Sequence, residues 1–164
     1  MTAGVLDRDV VTSAFRQAMG NVAAAVSVVT VLQDGEPHGT TVSAFASLSM
    51  EPPMLLVSLD ERSALLAKLR IGSLVGVNVL AAHQDQVALR FAGKGDARFD
   101  GIGWQVEDGA PALTERHAFV SMSVTTLVEA GDHTLVLGEV QAADTSGNAP
   151  LTYWQRTFGT HRTF

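Results

Sequence analysis

Between two apolar β-type runs the chain carries GTTVSAFASLSMEPP, Gly39 to Pro53, which stops at a proline pair. Thr40, Thr41, Ser43, Ser47 and Ser49 place hydroxyls there by adjacency or alternation. A core strand does not normally carry so many, because a hydroxyl buried without a partner costs about 1–3 kcal/mol. Small side chains let a flat ligand approach the backbone. Hydroxyls and backbone N–H groups together suit a polyol or a phosphate. On composition alone, the same stretch is an ordinary Thr/Ser-rich edge strand with its turn.

Around this stretch the chain alternates short extended runs with tight turns. Val10, Val11, Ala14, Phe15, Ala18 and Met19 recur at three- and four-residue spacing and predict an amphipathic helix from about Asp7 to Met19, ended by Gly20-Asn21. Strands are expected from Val22 to Leu32, His38 to Ser47 and Met54 to Leu59, with Asp34-Gly35 as a hairpin turn. Asp60 can cap a short helix from Glu61 to Leu69. Leu74 to Leu80 reads as a strand, Gln84 to Phe91 as a helix closed by Gly93, and Gly101 to Ala110 as a loop holding Trp104. Phe119 to Glu129 and Thr134 to Ala143 form a second hairpin through Ala130-Gly131-Asp132-His133, and Leu151 to Trp154 is a last strand. Six or seven strands joined by tight turns, with three short helices, favour a mainly β antiparallel barrel over a βαβ sheet. No GxGxxG follows a strand, which argues against a Rossmann dinucleotide site.

The 164 residues are read as one domain, 1–164, large enough to bury a real core. Hydrophobic residues make up 46% and charged residues 17%, so much apolar surface needs cover and a homodimer is expected. A net charge of −6 without a Lys/Arg block argues against nucleic acid or an anionic membrane as partner. The absence of cysteine removes disulfides, thiolate chemistry and Cys-based metal sites. The five histidines show no metal-ligand spacing, so no metal is expected. No apolar run reaches the roughly 18 residues of a membrane span, and the acidic N-terminus lacks a signal pattern, so the chain reads as cytoplasmic.

Taken in order, FRQAMGNVAAAVSVVTV, GTTVSAFASLSMEPP, VNVL, LRFAGK, GDH and PLTYW resemble the short-chain flavin reductase family, from about Phe15 to Thr160. The resemblance implies an FMN-binding split β-barrel with a few short flanking helices. It also implies an NAD(P)H:flavin oxidoreductase that transfers hydride from NADH or NADPH to FMN or FAD and hands reduced flavin to a partner monooxygenase. The flavin contacts it implies fall on Thr40, Thr41, Val42, Ser43 and Ala44. Ser58, Leu59 and Asp60 would border the ring or ribityl chain. Arg62 and Ser63 would meet the phosphate through the N–H groups of a following helix, although Asp60 and Glu61 would repel it. Arg90, Phe91, Ala92 and Lys94 match a segment flanking the same end of the flavin. Read without the resemblance, Arg90 and Lys94 are solvated charges near a helix C-terminus.

His133, in the GDH turn, is the catalytic candidate. The resemblance puts it near the nicotinamide, to hold the carboxamide or supply a proton; the competing account is an exposed hairpin histidine. Arg156 could meet a pyrophosphate, and Phe158 stands where the family commonly has Tyr. Trp154 and Phe158 are equally readable as core or interface aromatics. Two other functions remain: a flavin-binding split barrel without reductase activity, which has no use for His133, and a pyridoxamine-phosphate-oxidase-like enzyme, which wants a more basic pocket than 11 Lys plus Arg suggest.

Overall fold

The computed structural model describes residues 7–95 and 97–163. The chain opens with helix α1, Arg8–Gly20, whose N-terminus is capped by the Asp7 carboxylate accepting the Asp9 N–H at 3.0 Å. At its end, Asn21 donates its N–H to Ala18 and its side-chain amide to Gln17. None of the helix is buried.

The strands follow in sequence: β1 (Ala24–Ala25), β2 (Ser27–Gln33), β3 (Glu36–Val42), β4 (Phe45–Met50), β5 (Pro53–Asp60) and β6 (Leu74–Val79). Helix α2 (Asp85–Ala92) comes next. It precedes β7 (Trp104–Glu107), β8 (Ala110–Leu113), β9 (Ala118–Ala130), β10 (His133–Thr145), β11 (Leu151–Trp154) and β12 (Thr157–Thr160). Seven strands pair antiparallel in the order β3-β2-β6-β9-β10-β5-β4. The sheet curls until the β3–β4 junction meets β5, where Ser58 donates its N–H to the Ala44 carbonyl at 2.8 Å. This is a split antiparallel barrel.

Val29, Val31, Val57, Leu59, Val75, Val77, Met122 and Val136 fill the barrel interior. A second core lies on the outer face of β2, where Val26, Val28, Leu80, Phe91, Leu113 and Leu151 pack together. Strand β2 is therefore buried on both sides, and its run SVVT is apolar apart from two bonded hydroxyls. Asn78 organises the outer side: its side-chain carbonyl accepts the Leu113 N–H, and its amide donates to Val28 and Pro111 carbonyls. That node seats the β7–β8 hairpin on the sheet.

Several sequence expectations need correction. The strand expected over 38–47 is broken at Ser43-Ala44 into β3 and β4. The helix expected over 61–69 is only a 3-10 turn at Leu66–Lys68. The loop expected over 101–110 contains β7 and leads into β8, joined by a turn with Asp108 and Gly109 at positive φ. The last hairpin has a second strand, β12, that the sequence reading did not include.

Candidate functional site

The break at Ser43-Ala44 is exposed, while Val42 before it is buried in the barrel and accepts a hydrogen bond from the Ser27 hydroxyl at 2.8 Å. The chain leaves the ladder here because Ala44 turns its carbonyl to Ser58 instead. The result is a short stretch of small residues with open backbone, held rigidly at both ends. Thr40 is half-buried on β3. The Thr41 hydroxyl donates to the Ala88 carbonyl of α2 at 2.6 Å, so its proton is spent on securing the helix.

On β5 the period-2 alternation sends Leu55, Val57 and Leu59 into the core and leaves Ser58 and Asp60 half-buried on the other face. Leu59 is thus a core residue whose side chain packs inside the barrel, so at this position only the backbone is left to border a ligand. Asp60 pairs in register with His133 of β10, and Ser58 with Leu135, so His133 stands beside Asp60 at the end of the face that carries Ser58. The imidazole Nδ1 bonds the Asp132 carboxylate at 2.7 Å. A carboxylate only accepts, so Nδ1 carries the proton and Nε2 is the ring atom available to a ligand.

The 60–63 turn does not form the anion cradle expected of it. The Glu61 N–H goes to the Asp132 carbonyl, the Arg62 N–H to the Asp60 carboxylate and the Ser63 N–H to the Asp60 carbonyl. Arg62 also spends its guanidinium on Asp60, with Nε at 3.0 Å and Nη2 at 2.8 Å. The side-chain and backbone hydrogen bonds from Arg62, with the nearby His133, hold the Asp60 carboxyl well below the usual carboxylate range. The hydrogen bond to His133 lowers Asp132 in the same way.

The segment after α2 divides. The Phe91 ring is fully buried, edge-on to Phe99 at 4.8 Å between centroids, so it supports the site from beneath and does not touch a ligand with its side chain. Arg90, Ala92 and Lys94 are exposed, and Arg90 donates to the Asp100 carbonyl. Arg98, which no sequence pattern singled out, donates to Gly39 of β3 at 2.7 Å and to Gly93 at 2.6 Å.

Arg156 lies elsewhere, at the β11–β12 turn. There Gln155 donates its N–H to Gly20, and the turn shares a cleft of about 380 Å³ with Arg16 and Asn21 of the α1 end. Phe158 packs on Tyr153 at 5.1 Å and against the outer core. The structure thus joins residues 40–44 to 58–60 and His133 through the Ala44–Ser58 bond, and joins 90–94 to β3 through Thr41 and Arg98. It does not bring Arg156 into direct contact with either group.

A second polar constellation lies under the β7–β8 hairpin. Arg116 bonds Glu107 at 2.7 Å, Asp144 at 2.7 Å and the Leu113 carbonyl at 2.7 Å, with Phe119 beneath it at 5.0 Å. Burial alone would lower the guanidinium pKa; the bonds to Asp144 and Glu107 outweigh it and raise the value. Arg116 is fully engaged in holding strands together.

Over residues 19–162 the chain matches the flavin reductase like domain family. An NADH-dependent flavin reductase of a Rhodococcus species is 33% identical over 160 residues, covering 96% of this chain and 90% of that protein. The reductase component of 4-nitrophenol 4-monooxygenase/4-nitrocatechol 2-monooxygenase from Rhodococcus opacus is 33% identical over 145 residues, covering 88% of this chain and 78% of that protein. The solved structure of the Streptomyces globisporus C-1027 NADH:FAD oxidoreductase SgcE6, in complex with NAD and FAD fragments, aligns with a TM-score of 0.85 at 30% identity, covering 99% of this chain and 97% of that one. With its split barrel and a match running through nearly the whole length, this chain belongs to the flavin reductase-like domain family.

Proposed function

We propose that the protein is an NADH:flavin oxidoreductase that reduces FMN or FAD and supplies the reduced flavin to a partner oxygenase. The observation that carries this reading is the exposed Ser43-Ala44 break, bonded to Ser58 and lying on the strand pair that ends at His133, in a chain matched to the flavin reductase like domain over 19–162. The residues present fit a flavin. Small side chains at 43–44 admit a flat ring, and Thr40, Ser43 and Ser58 offer hydroxyls to a ribityl chain. Lys94, exposed after α2, offers a cation to a phosphate.

When bound, the flavin supplies the hydride-accepting ring; the protein supplies position and exclusion of water. The break, tied to β5 by the Ala44–Ser58 bond, would set where the ring lies. His133 Nε2 can take a hydrogen bond from the nicotinamide carboxamide, with Asp132 fixing the imidazole in the orientation that presents it. Asp60 and Arg62 neutralise one another, which leaves the phosphate end to Arg90 and Lys94.

A homodimer is part of the proposal. Val10, Val11, Phe15 and Met19 of α1 are exposed, Phe15 at 64%, and a helix with no buried residue on its own barrel is suited to packing on a second copy. No described helix is long and apolar enough to cross a membrane, and a cytoplasmic location is the reading we adopt. The deciding experiment is anaerobic mixing of the protein with FMN or FAD and NADH, following loss of flavin absorbance. Rapid bleaching at catalytic protein concentration supports the assignment; flavin binding without bleaching reduces the protein to a flavin carrier.

A further inference from the structure

We propose that Arg98 is a positioning residue for the phosphate end of the flavin, acting by clasping the segment after α2 to the open edge of β3. The inference rests on the flavin reading above. β3 is the last strand of its sheet. The Gly39 carbonyl accepts from Arg98, so it points off that edge; alternation along the strand puts the backbone groups of Thr41 on the same open side. The second arm of the guanidinium holds the Gly93 carbonyl. Arg98 therefore ties Gly93, where the chain leaves α2, to β3. Lys94 stands one residue from the pinned carbonyl.

Two further contacts show how tight this junction is. A Cβ at Gly39 would sit 3.0 Å from the Phe91 ring, and Thr41 bonds Ala88 at 2.6 Å. Both fix α2 itself to β3. Neither reaches past Gly93, where the chain leaves the helix in an extended conformation. Arg98 takes up the attachment from there. Its partners are both carbonyls, no described carboxylate pairs with it, and its Nε is buried without a described partner. Among the described residues its charge is thus not neutralised. Two separate nitrogens of one planar guanidinium hold the two carbonyls, a fixed fork that the single point-like ammonium of a lysine does not reproduce.

Without the clasp, Lys94 must be ordered by the ligand at the expense of binding free energy. The consequence is specific: the phosphate should feel the loss and the ring should not. FMN and riboflavin share ring and ribityl chain and differ in the phosphate, so their dissociation constants, measured by flavin fluorescence quenching on the full-length protein, separate the two ends. R98A should weaken FMN about five- to tenfold, the scale of one hydrogen bond, while riboflavin changes by less than about twofold. R98K should fall between. K94A should lower FMN preference too, and the effect of R98A should shrink in the K94A background, since the two act on one contact. If K94A weakens FMN selectively but R98A changes neither flavin, or both equally, Arg98 is a strut and the inference is overturned while the flavin reading stands. If neither K94A nor R98A affects FMN selectively, the assignment of the phosphate end falls and the inference with it. Melting curves accompany each variant, and if R98A does not fold, R98K carries the same comparison.

Discussion

His133 stands directly across the β10–β5 ladder from Asp60, and its ring is bonded to the adjacent Asp132. The candidate catalytic side chain is thus set by a sheet register on one side and a carboxylate on the other, and is not simply displayed on a free turn. Replacing it should separate nicotinamide handling from flavin binding. His133→Ala should raise KM for NADH or slow flavin reduction at least three- to tenfold, the worth of about 0.5–1.5 kcal/mol for an orienting hydrogen bond, with flavin affinity nearly unchanged. Asp132→Asn should act in the same direction and less strongly. Stopped-flow traces at varied NADH distinguish this from a proton-donor role, which would cost on the order of a hundredfold.

Ser43 is exposed at the break yet next to the Ala44–Ser58 closure. Ser43→Leu should therefore weaken FMN or FAD uptake by about tenfold or more through steric occlusion of the slot, with little change in melting temperature. Fluorescence titration checks the first part and a thermal melt the second. Unchanged flavin affinity would move the site away from this strand.

Arg116 has only 12% of its side chain exposed and bonds two carboxylates. Arg116→Ala leaves Glu107 and Asp144 facing each other without their counter-ion and removes a hydrogen bond to Leu113. We expect a loss of about 2–4 kcal/mol in urea unfolding. Flavin binding by the folded fraction should be unaffected, since none of these residues touches the candidate site.

Asp60 and Asp132 both have folded-state pKa values below the ordinary carboxylate value. A depressed carboxylate contributes stability above its unfolded pKa of about 3.9, and that contribution is lost as pH falls through the folded value. The melting temperature should therefore drop as pH falls from about 4 downward, and Asp60→Asn with Asp132→Asn should flatten that acid limb by bringing the neutral-pH melting temperature down toward the acid value, by a small amount for such solvent-screened groups. Because Asp132 is exposed and Asp60 is open to solvent on one side, the effect should also shrink in high salt.

How far the chain could be read in advance varies from segment to segment. The β9–β10 hairpin was legible because Ala130-Gly131-Asp132-His133 interrupts two long β-rich runs, and α1 and α2 because their apolar residues keep helical spacing with Gly at or just after each end. The break at Ser43-Ala44 was not legible. Its residues are as compatible with a strand as their neighbours, and the interruption comes from a distant partner, Ser58. The helix expected after Asp60 failed for a similar reason: Arg62 claims the cap, and Asp132, some 70 residues on, takes the Glu61 N–H. The site followed the same rule. Residues 40–44 and His133 could be proposed on motif, but Leu59 and Phe91 turned inward, and the roles of Arg98 and Asp132 depend on carbonyls and ring atoms that only the folded chain brings near.

The open flank of β3 has a consequence for the protein in concentrated solution. A strand with free main-chain groups can recruit the same strand of another molecule and grow into an aggregate. Along this flank Pro37 has no N–H to offer, the Gly39 carbonyl is occupied, and α2 lies across the positions that follow. The barrel thus hides its own adhesive margin with the same few atoms that order the loop after α2. A variant lacking Arg98 should accordingly lose solubility on concentration or prolonged storage well before its melting temperature reports any damage.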